Sequence, residues 1–369
     1  MSINNNGDGN VNVDINKTKN FVKAIFTSLG LSNRYAEMSM EVILQAELTG
    51  VLTHGLAKLP FYVMRYKNKS ENISPKIKIM NNHTNNILLD GDNASGLIVG
   101  PEALKICIRS AKEKGIAAVA VKNSGHFGCG NYYSWKFAEE NLIGIVMTNS
   151  APLMAPYGGK EREIGTNPIT VAIPANHENP IILDMASSIA AYGKIQVAAI
   201  VNEKIPFTWA NNKDGMVTDN PTEALNGTLQ PLGGYKGYGL AVIVDALTSL
   251  LSHGEFGKNI SSVEELSENS SEKISHFMLG IDPSTFYDIG DFLSYVDSYV
   301  KYIKNSPKAE GNDEIFLPGE IEFNKYHQNI EQGLTIRNET KAILLQIAND
   351  LGLNFDDYAS LEELISNAY

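Results

Sequence analysis

The sequence is poor in cysteine: Cys107 and Cys129 are the only two in 369 residues. That excludes a disulfide framework and a zinc site built from thiolates, and it makes a reducing cytoplasm the expected compartment. No uninterrupted apolar run reaches the roughly 18 residues of a membrane helix, so no membrane partner is expected. The polar opening stretch carries no hydrophobic core of a secretion signal. Positive charge is also short. Lys and Arg total 30 against 42 Asp and Glu, a net charge of −12. Such a surface repels phosphate backbones, and nucleic acid is not an expected partner. Several catalytic signatures are missing as well. There is no G-x-G-x-x-G and no Walker A, so any nucleotide is held by other means. There is no H-E-x-x-H and no metal-ligand spacing, so no metal is expected. G-x-S-x-G is absent, which disfavours a serine hydrolase.

What remains suits a folded chain of two or three domains: 43% of residues are hydrophobic and 20% charged. Residues 1–16 are rich in Asn, Gly and Asp and are expected to fray. A helical pattern starts near Asn20. Ser32 reads as the N-cap of a helix to about Leu48, with Met38, Val42, Leu44 and Ala46 as a packed face. Residues 53–70 read as a helix that either kinks at Pro60 or starts late. If it is continuous, His54, Lys58 and Tyr62 share a face. Segments 87–90, 116–123, 142–149, 168–174 and 180–186 read as strands. Residues 91–96 read as a turn, 101–115 and 131–141 as helices. The alternation is of α/β type. Residues 231–254 form a glycine-rich entry to an apolar helix, 257–275 a mobile polar loop, 289–304 a helix, and 315–323 a strand broken at Pro318-Gly319. A last helix runs from Asn338 to Gly352.

The most informative run is 123–133, where His126 lies between glycines after a strand and before a helix. Ligands of α/β sheets bind at such strand ends, and histidine is suited to proton transfer near neutral pH. His126 equally suits a turn or a cap. His54 and Lys58 read either as a site or as a solvated helix start. Ser150 belongs to a long Gly/Pro/Ser/Asn loop, 148–168, of functional length. Asp184 closes an apolar run, where it can accept from ribose hydroxyls or cap the helix that follows. Lys236 sits among glycines at a helix entrance, a position suited to an anion. His83, His177, His253, His276 and His327 have no distinctive setting.

In this order, the segments THG (53–55), NSGHFG (123–128), TNSAPLMAPYGG (148–159), GTNP (165–168), LDMASS (183–188), GKI (193–195), PLGGYKGYGLA (231–241) and LPGEIE (317–322) carry a resemblance. The chain resembles the malate/L-lactate dehydrogenase family of non-Rossmann oxidoreductases, which includes ureidoglycolate and sulfolactate dehydrogenases, diketogulonate reductase and a reductase of cyclic 2-imino acids. The resemblance implies an α/β fold with a β-rich NAD(P)-binding domain, here 86–230. It also implies a helical domain from 1–85 with 311–369, and a helical subdomain, 231–310. It implies a homodimer with its active site near the interface. The cofactor would be NAD or NADP and the substrate a small 2-hydroxy acid or its 2-oxo acid, with imine reduction or non-catalytic dinucleotide binding as alternatives. His126 would be the acid/base, His54 its partner, and Lys58 the holder of the substrate carboxylate, where many relatives carry Arg. Cofactor contacts would fall on Ser150, Asp184, Met185, Ala186, Lys236, Gly319 and Glu320.

Overall fold

The computed structural model describes residues 10–83, 85–262 and 270–354. Strand β1 (Asn10–Val13) leads into helix α1 (Ile15–Ser28), which starts earlier than the sequence pattern predicts because the Asp14 carboxylate accepts the Lys17 N–H. The Ser32 cap holds as expected: its hydroxyl accepts the Tyr35 N–H, and α2 (Asn33–Leu48) follows. The helix expected over 53–70 starts late. A turn carries His54, a 3₁₀ turn covers Leu56–Lys58, and α3 (Leu59–Lys67) begins with Pro60 in its first turn, where a missing N–H costs nothing.

Hairpin strands β2 (Lys78–His83) and β3 (Asn86–Ala94) come next. The turn read at 91–96 is in part a kink at Asp92 and Asn93, with φ of 55° and 56°. Ser95 then caps α4 (Gly96–Lys114), which contains Pro101 instead of starting there. Strand β4 (Ile116–Ser124), helix α5 (Gly130–Glu139), and strands β5 (Ile143–Thr148), β6 (Ile169–Ile173) and β7 (Ile181–Met185) match their sequence expectations closely.

Beyond them lie α6 (Tyr192–Val201), the short β8 (Ala210–Asn211), α7 (Pro221–Leu225), β9 (Thr228–Leu229) and α8 (Tyr235–Asp245). The last of these continues through a π turn at Ala246–Leu250. The chain then returns as β10 (Ile274–Ile281), a strand the sequence reading does not anticipate, followed by α9 (Ile289–Lys304). Part of the polar loop expected over 257–275, residues 263–269, lies outside the described residues. The strand expected at 315–323 is instead a turn and a helix. Gly319, at φ 89°, swings the chain away, and Glu320 opens α10 (Glu320–Gln332) while its carboxylate accepts the Leu317 N–H at 3.0 Å. β11 (Leu334–Arg337) pairs antiparallel with β1, and α11 (Asn338–Leu351) ends the described chain.

The central sheet has the order β2-β3-β4-β10-β5-β6-β7. Only β3 and β4 run parallel; the other neighbours are antiparallel. β10 fills the middle of the sheet and is buried along nearly all its length. The largest core lies where α1, α2, α4 and α5 cover one side of the sheet, through Phe21, Ile43, Leu97 and Phe137. No helix of the described residues is long and apolar enough to cross a membrane.

Candidate active site

A cleft of about 1340 Å³ opens between the turn before α3, the loop after β4, the end of β7 and the turn before α10. His54, Lys58, His126, Ser150, Asp184, Met185, Ala186 and Gly319 all line it. Sequence positions far apart are thus brought together by the sheet order, since β10 and β5 place the loops after β4 and β7 on one rim.

His126 follows β4. Its backbone N–H donates to the Glu272 carboxylate at 2.7 Å. Its Nδ1 receives the Gly128 N–H at 3.3 Å and lies 2.7 Å from the Tyr62 hydroxyl. Gly128 must be glycine: φ is 82°, and a Cβ would meet Val42 at 2.5 Å. The His54 ring stacks on His126 with centroids 5.6 Å apart and planes at 20°, while its own Nδ1 lies 2.9 Å from the Thr53 hydroxyl. His54 and Lys58 are thus neighbours although no continuous helix joins them.

Both imidazoles are held neutral. Desolvation in the cleft wall, reinforced by the Lys58 charge, lowers the His54 pKa to about 4, and the same causes hold His126 well below the usual histidine range. Lys58 is half-buried. Burial lowers its pKa, opposed by Glu272 and aided by Arg65. Its ammonium lies 4.3 Å over the Phe61 ring, and no carboxylate among the described residues is within ion-pair distance. An ammonium with no carboxylate in contact, beside two neutral imidazoles, can accept a small carboxylate.

Beneath this group lies an ion cluster that the sequence reading missed. Arg65, 1% exposed, bonds Glu71 at 2.7 Å and faces Glu272 at 2.9 Å. Tyr62 is named in the sequence only as a face-sharing residue, and its place four residues after Lys58 was its one signal. Glu272 lies in a stretch read as polar loop and gave none.

The opposite wall carries the candidate cofactor contacts. The Ser150 hydroxyl accepts the Thr166 N–H at 3.1 Å and stays open to the cleft. Asp184 caps a helix, but it is α5, which precedes it, not the following helix: one carboxylate oxygen accepts the Asn131 N–H at 2.8 Å. Met185 and Ala186 continue along the wall. The cleft exceeds the usual 300–1,000 Å³ of a small-molecule pocket, leaving room for an extended dinucleotide beside a small acid. Its hydroxyl, carboxylate and backbone groups suit ribose and phosphate. Two candidates stand apart. Lys236 is exposed in the first turn of α8, outside the lining of this cleft, and Glu320 is tied to Lys304 and Leu317.

A family model described as malate/L-lactate dehydrogenase matches residues 13–344. The malate dehydrogenase of Pyrococcus abyssi is 37% identical over 341 residues, covering 90% of this chain and 93% of that protein. Among solved structures, sulfolactate dehydrogenase from Methanocaldococcus jannaschii superposes with a TM-score of 0.86 at 35% identity, covering 94% of this chain and 99% of that one. Malate dehydrogenase from Entamoeba histolytica gives 0.88 at 29%, covering 94% and 99%. With the match running through every strand of the central sheet and through the cleft, the chain belongs to the malate/L-lactate dehydrogenase family.

Proposed function

We propose that the protein is a nicotinamide-dependent dehydrogenase that interconverts a small 2-hydroxy acid and its 2-oxo acid. The observation that carries this reading is the unpaired Lys58 ammonium beside the stacked His54 and His126 rings in the cleft. Lys58 holds the substrate carboxylate as a point charge. His126 meets the neighbouring oxygen, and His54 packs against it and helps orient the acid. A nicotinamide dinucleotide, NAD or NADP, would supply the hydride-transfer chemistry when bound. Ser150, Asp184, Met185, Ala186 and Gly319, which line the cleft, would hold it. The relatives' names support a hydroxy-acid substrate: malate for the Pyrococcus protein, sulfolactate for the Methanocaldococcus one.

We further propose a homodimer. Helix α6 borders the cleft, yet Ile200 is 84% exposed, and Ile243 and Leu250 on the α8 segment are more than half exposed. Apolar faces of this extent mark an interface. Sedimentation equilibrium at micromolar concentration is expected to give twice the chain mass, and a monomer there overturns it.

Absorbance at 340 nm with NADH or NADPH and a panel of 2-oxo acids tests the activity. The panel includes oxaloacetate, pyruvate, sulfopyruvate and a cyclic 2-imino acid, with malate, lactate and ureidoglycolate in reverse. Turnover of one acid with one cofactor fixes substrate and cofactor together. Turnover of the imino acid alone replaces ketone with C=N reduction. Absence of both turnover and a thermal shift with either cofactor refutes the dehydrogenase reading.

A further inference from the structure

The geometry points to Tyr62 as the residue that positions His126, by holding its ring as the neutral tautomer with the proton on Nε2. The argument starts from Nδ1. The Gly128 N–H has a fixed direction and can only donate, and it is aimed at Nδ1 at 3.3 Å. A nitrogen that accepts there carries no proton. The Tyr62 hydroxyl, 2.7 Å from the same nitrogen, is therefore the donor in that pair. Two donors converge on one ring nitrogen, so the single proton of the neutral ring resides on Nε2. Tyr62 is 0% exposed and lies on the inner side of the ring. His126 itself lines the cleft, and its Nε2 has no partner among the described residues, which leaves Nε2–H as the edge open to a substrate. A neutral imidazole that donates to a carbonyl oxygen stabilises the negative charge that develops there on hydride addition.

The surroundings favour this state. From the α3 side the ring faces Lys58, Arg65 and His54; from the β10 side it faces His276, and Glu272 binds its backbone N–H. The cations oppose a second ring proton. Burial, with the Glu71 and Glu272 charges, keeps the Tyr62 phenol far above its ordinary pKa, so that it remains a donor across the working range.

This inference rests on the reading of His126 as the group that meets the substrate oxygen, but its test does not need turnover. The chain carries seven histidines. In protein labelled with ¹⁵N-histidine, two-bond ¹H–¹⁵N correlations distinguish the two neutral tautomers, and a His126→Gln spectrum assigns the signal. Wild-type protein at pH 7 is expected to show His126 protonated on Nε2. Tyr62→Phe removes the donor that stabilises the unprotonated Nδ1. Mixed tautomers are then expected, with the His126 titration moved up by roughly one pH unit, the worth of one hydrogen bond. In the assay, Tyr62→Phe should lower kcat roughly tenfold with the acid's KM little changed. A wild-type proton on Nδ1, or a tautomer and titration unmoved in folded Tyr62→Phe, overturns the proposal. If Tyr62→Phe fails to fold, 3-fluorotyrosine placed at position 62, a stronger donor, is expected to lower the His126 titration, and a titration left unmoved overturns the proposal. A chain that turns over no acid and shows no thermal shift with either cofactor refutes the dehydrogenase reading, and the nitrogen signals still report on Tyr62.

Discussion

Glu272 joins His126 to the ion cluster beneath it: one carboxylate oxygen accepts the His126 N–H at 2.7 Å and the other lies 2.9 Å from the Arg65 guanidinium. Arg65 therefore faces two buried carboxylates, Glu71 and Glu272, and no other cation is paired with either among the described residues. Removing the guanidinium leaves two like charges in low dielectric. Arg65→Met is expected to cost about 3–5 kcal/mol in urea unfolding at pH 7, and Glu272→Gln about 1.5–3 kcal/mol. A loss under 1 kcal/mol for Arg65→Met would show that the cluster does not support the loop that carries His126.

Lys58 should act on the acid and not on the cofactor. Lys58→Met is expected to lower kcat/KM for the oxo acid by roughly 10–150-fold, the worth of one charged hydrogen bond. The dinucleotide dissociation constant, followed by fluorescence quenching, should stay within twofold. Lys58→Arg keeps the charge and changes a point contact to a fork, so it should keep more activity than Lys58→Met. Equal weakening of acid and cofactor would remove Lys58 from its role as carboxylate holder.

His126 and His54 separate by magnitude. His126→Ala should reduce kcat by roughly 10²–10⁴-fold, as loss of an acid/base group does. His54 touches Thr53 and the His126 ring face, so His54→Ala should cost about tenfold in kcat/KM. A larger loss in His54→Ala than in His126→Ala would exchange their roles.

These residues differ in how far the sequence revealed them. His126 was legible because strand, glycine and helix signals surround it within a dozen residues. Five strands were legible from short apolar runs, and Ser32 from its capping chemistry. β10 was not, because its partners β4 and β5 are more than a hundred residues away and its short apolar run follows a polar loop. Glu272 depends on that strand, so its bond to His126 was equally hidden. The helix read over 53–70 starts late, one of the two alternatives that Pro60 leaves open, and His54 and Lys58 still converge because the turn before α3 folds back onto the loop after β4. Gly319 misled in the other direction: an apolar run around Pro-Gly looks like a broken strand, while its left-handed φ makes it the turn into α10.

His276 offers a pH test that is independent of activity. It had no distinctive setting in the sequence, but in β10 it is fully buried, with ring nitrogens 2.8 Å from the Thr148 and Ser124 hydroxyls and its face 4.7 Å from the Phe127 ring. The Thr148 hydroxyl donates to backbone carbonyls, so it accepts from Nδ1, and Ser124, whose other acceptor, the Gly125 carbonyl, is 3.5 Å away, donates to the nearer Nε2. A neutral ring satisfies every partner, and burial lowers its pKa to about 3. The unfolded chain takes up this proton near pH 6.5, the folded chain only near 3, so protonation favours unfolding throughout that interval. The contribution of His276 is complete above about pH 6.5 and is lost as pH falls, at up to about 1.4 kcal/mol per unit. His276→Gln should therefore destabilise at pH 7, through two lost hydrogen bonds, and the penalty should shrink steadily by pH 5. Glu47 has the opposite sign. It is buried beneath the Leu56 N–H, and burial raises its pKa to about 7, so its protonation stabilises the fold as pH falls from 7 toward 4.5. For this reason the measurement compares variant with wild type at each pH, by urea unfolding, instead of following wild type alone. A His276→Gln penalty that is constant between pH 7 and 5 would mean that the ring does not stay neutral in the fold.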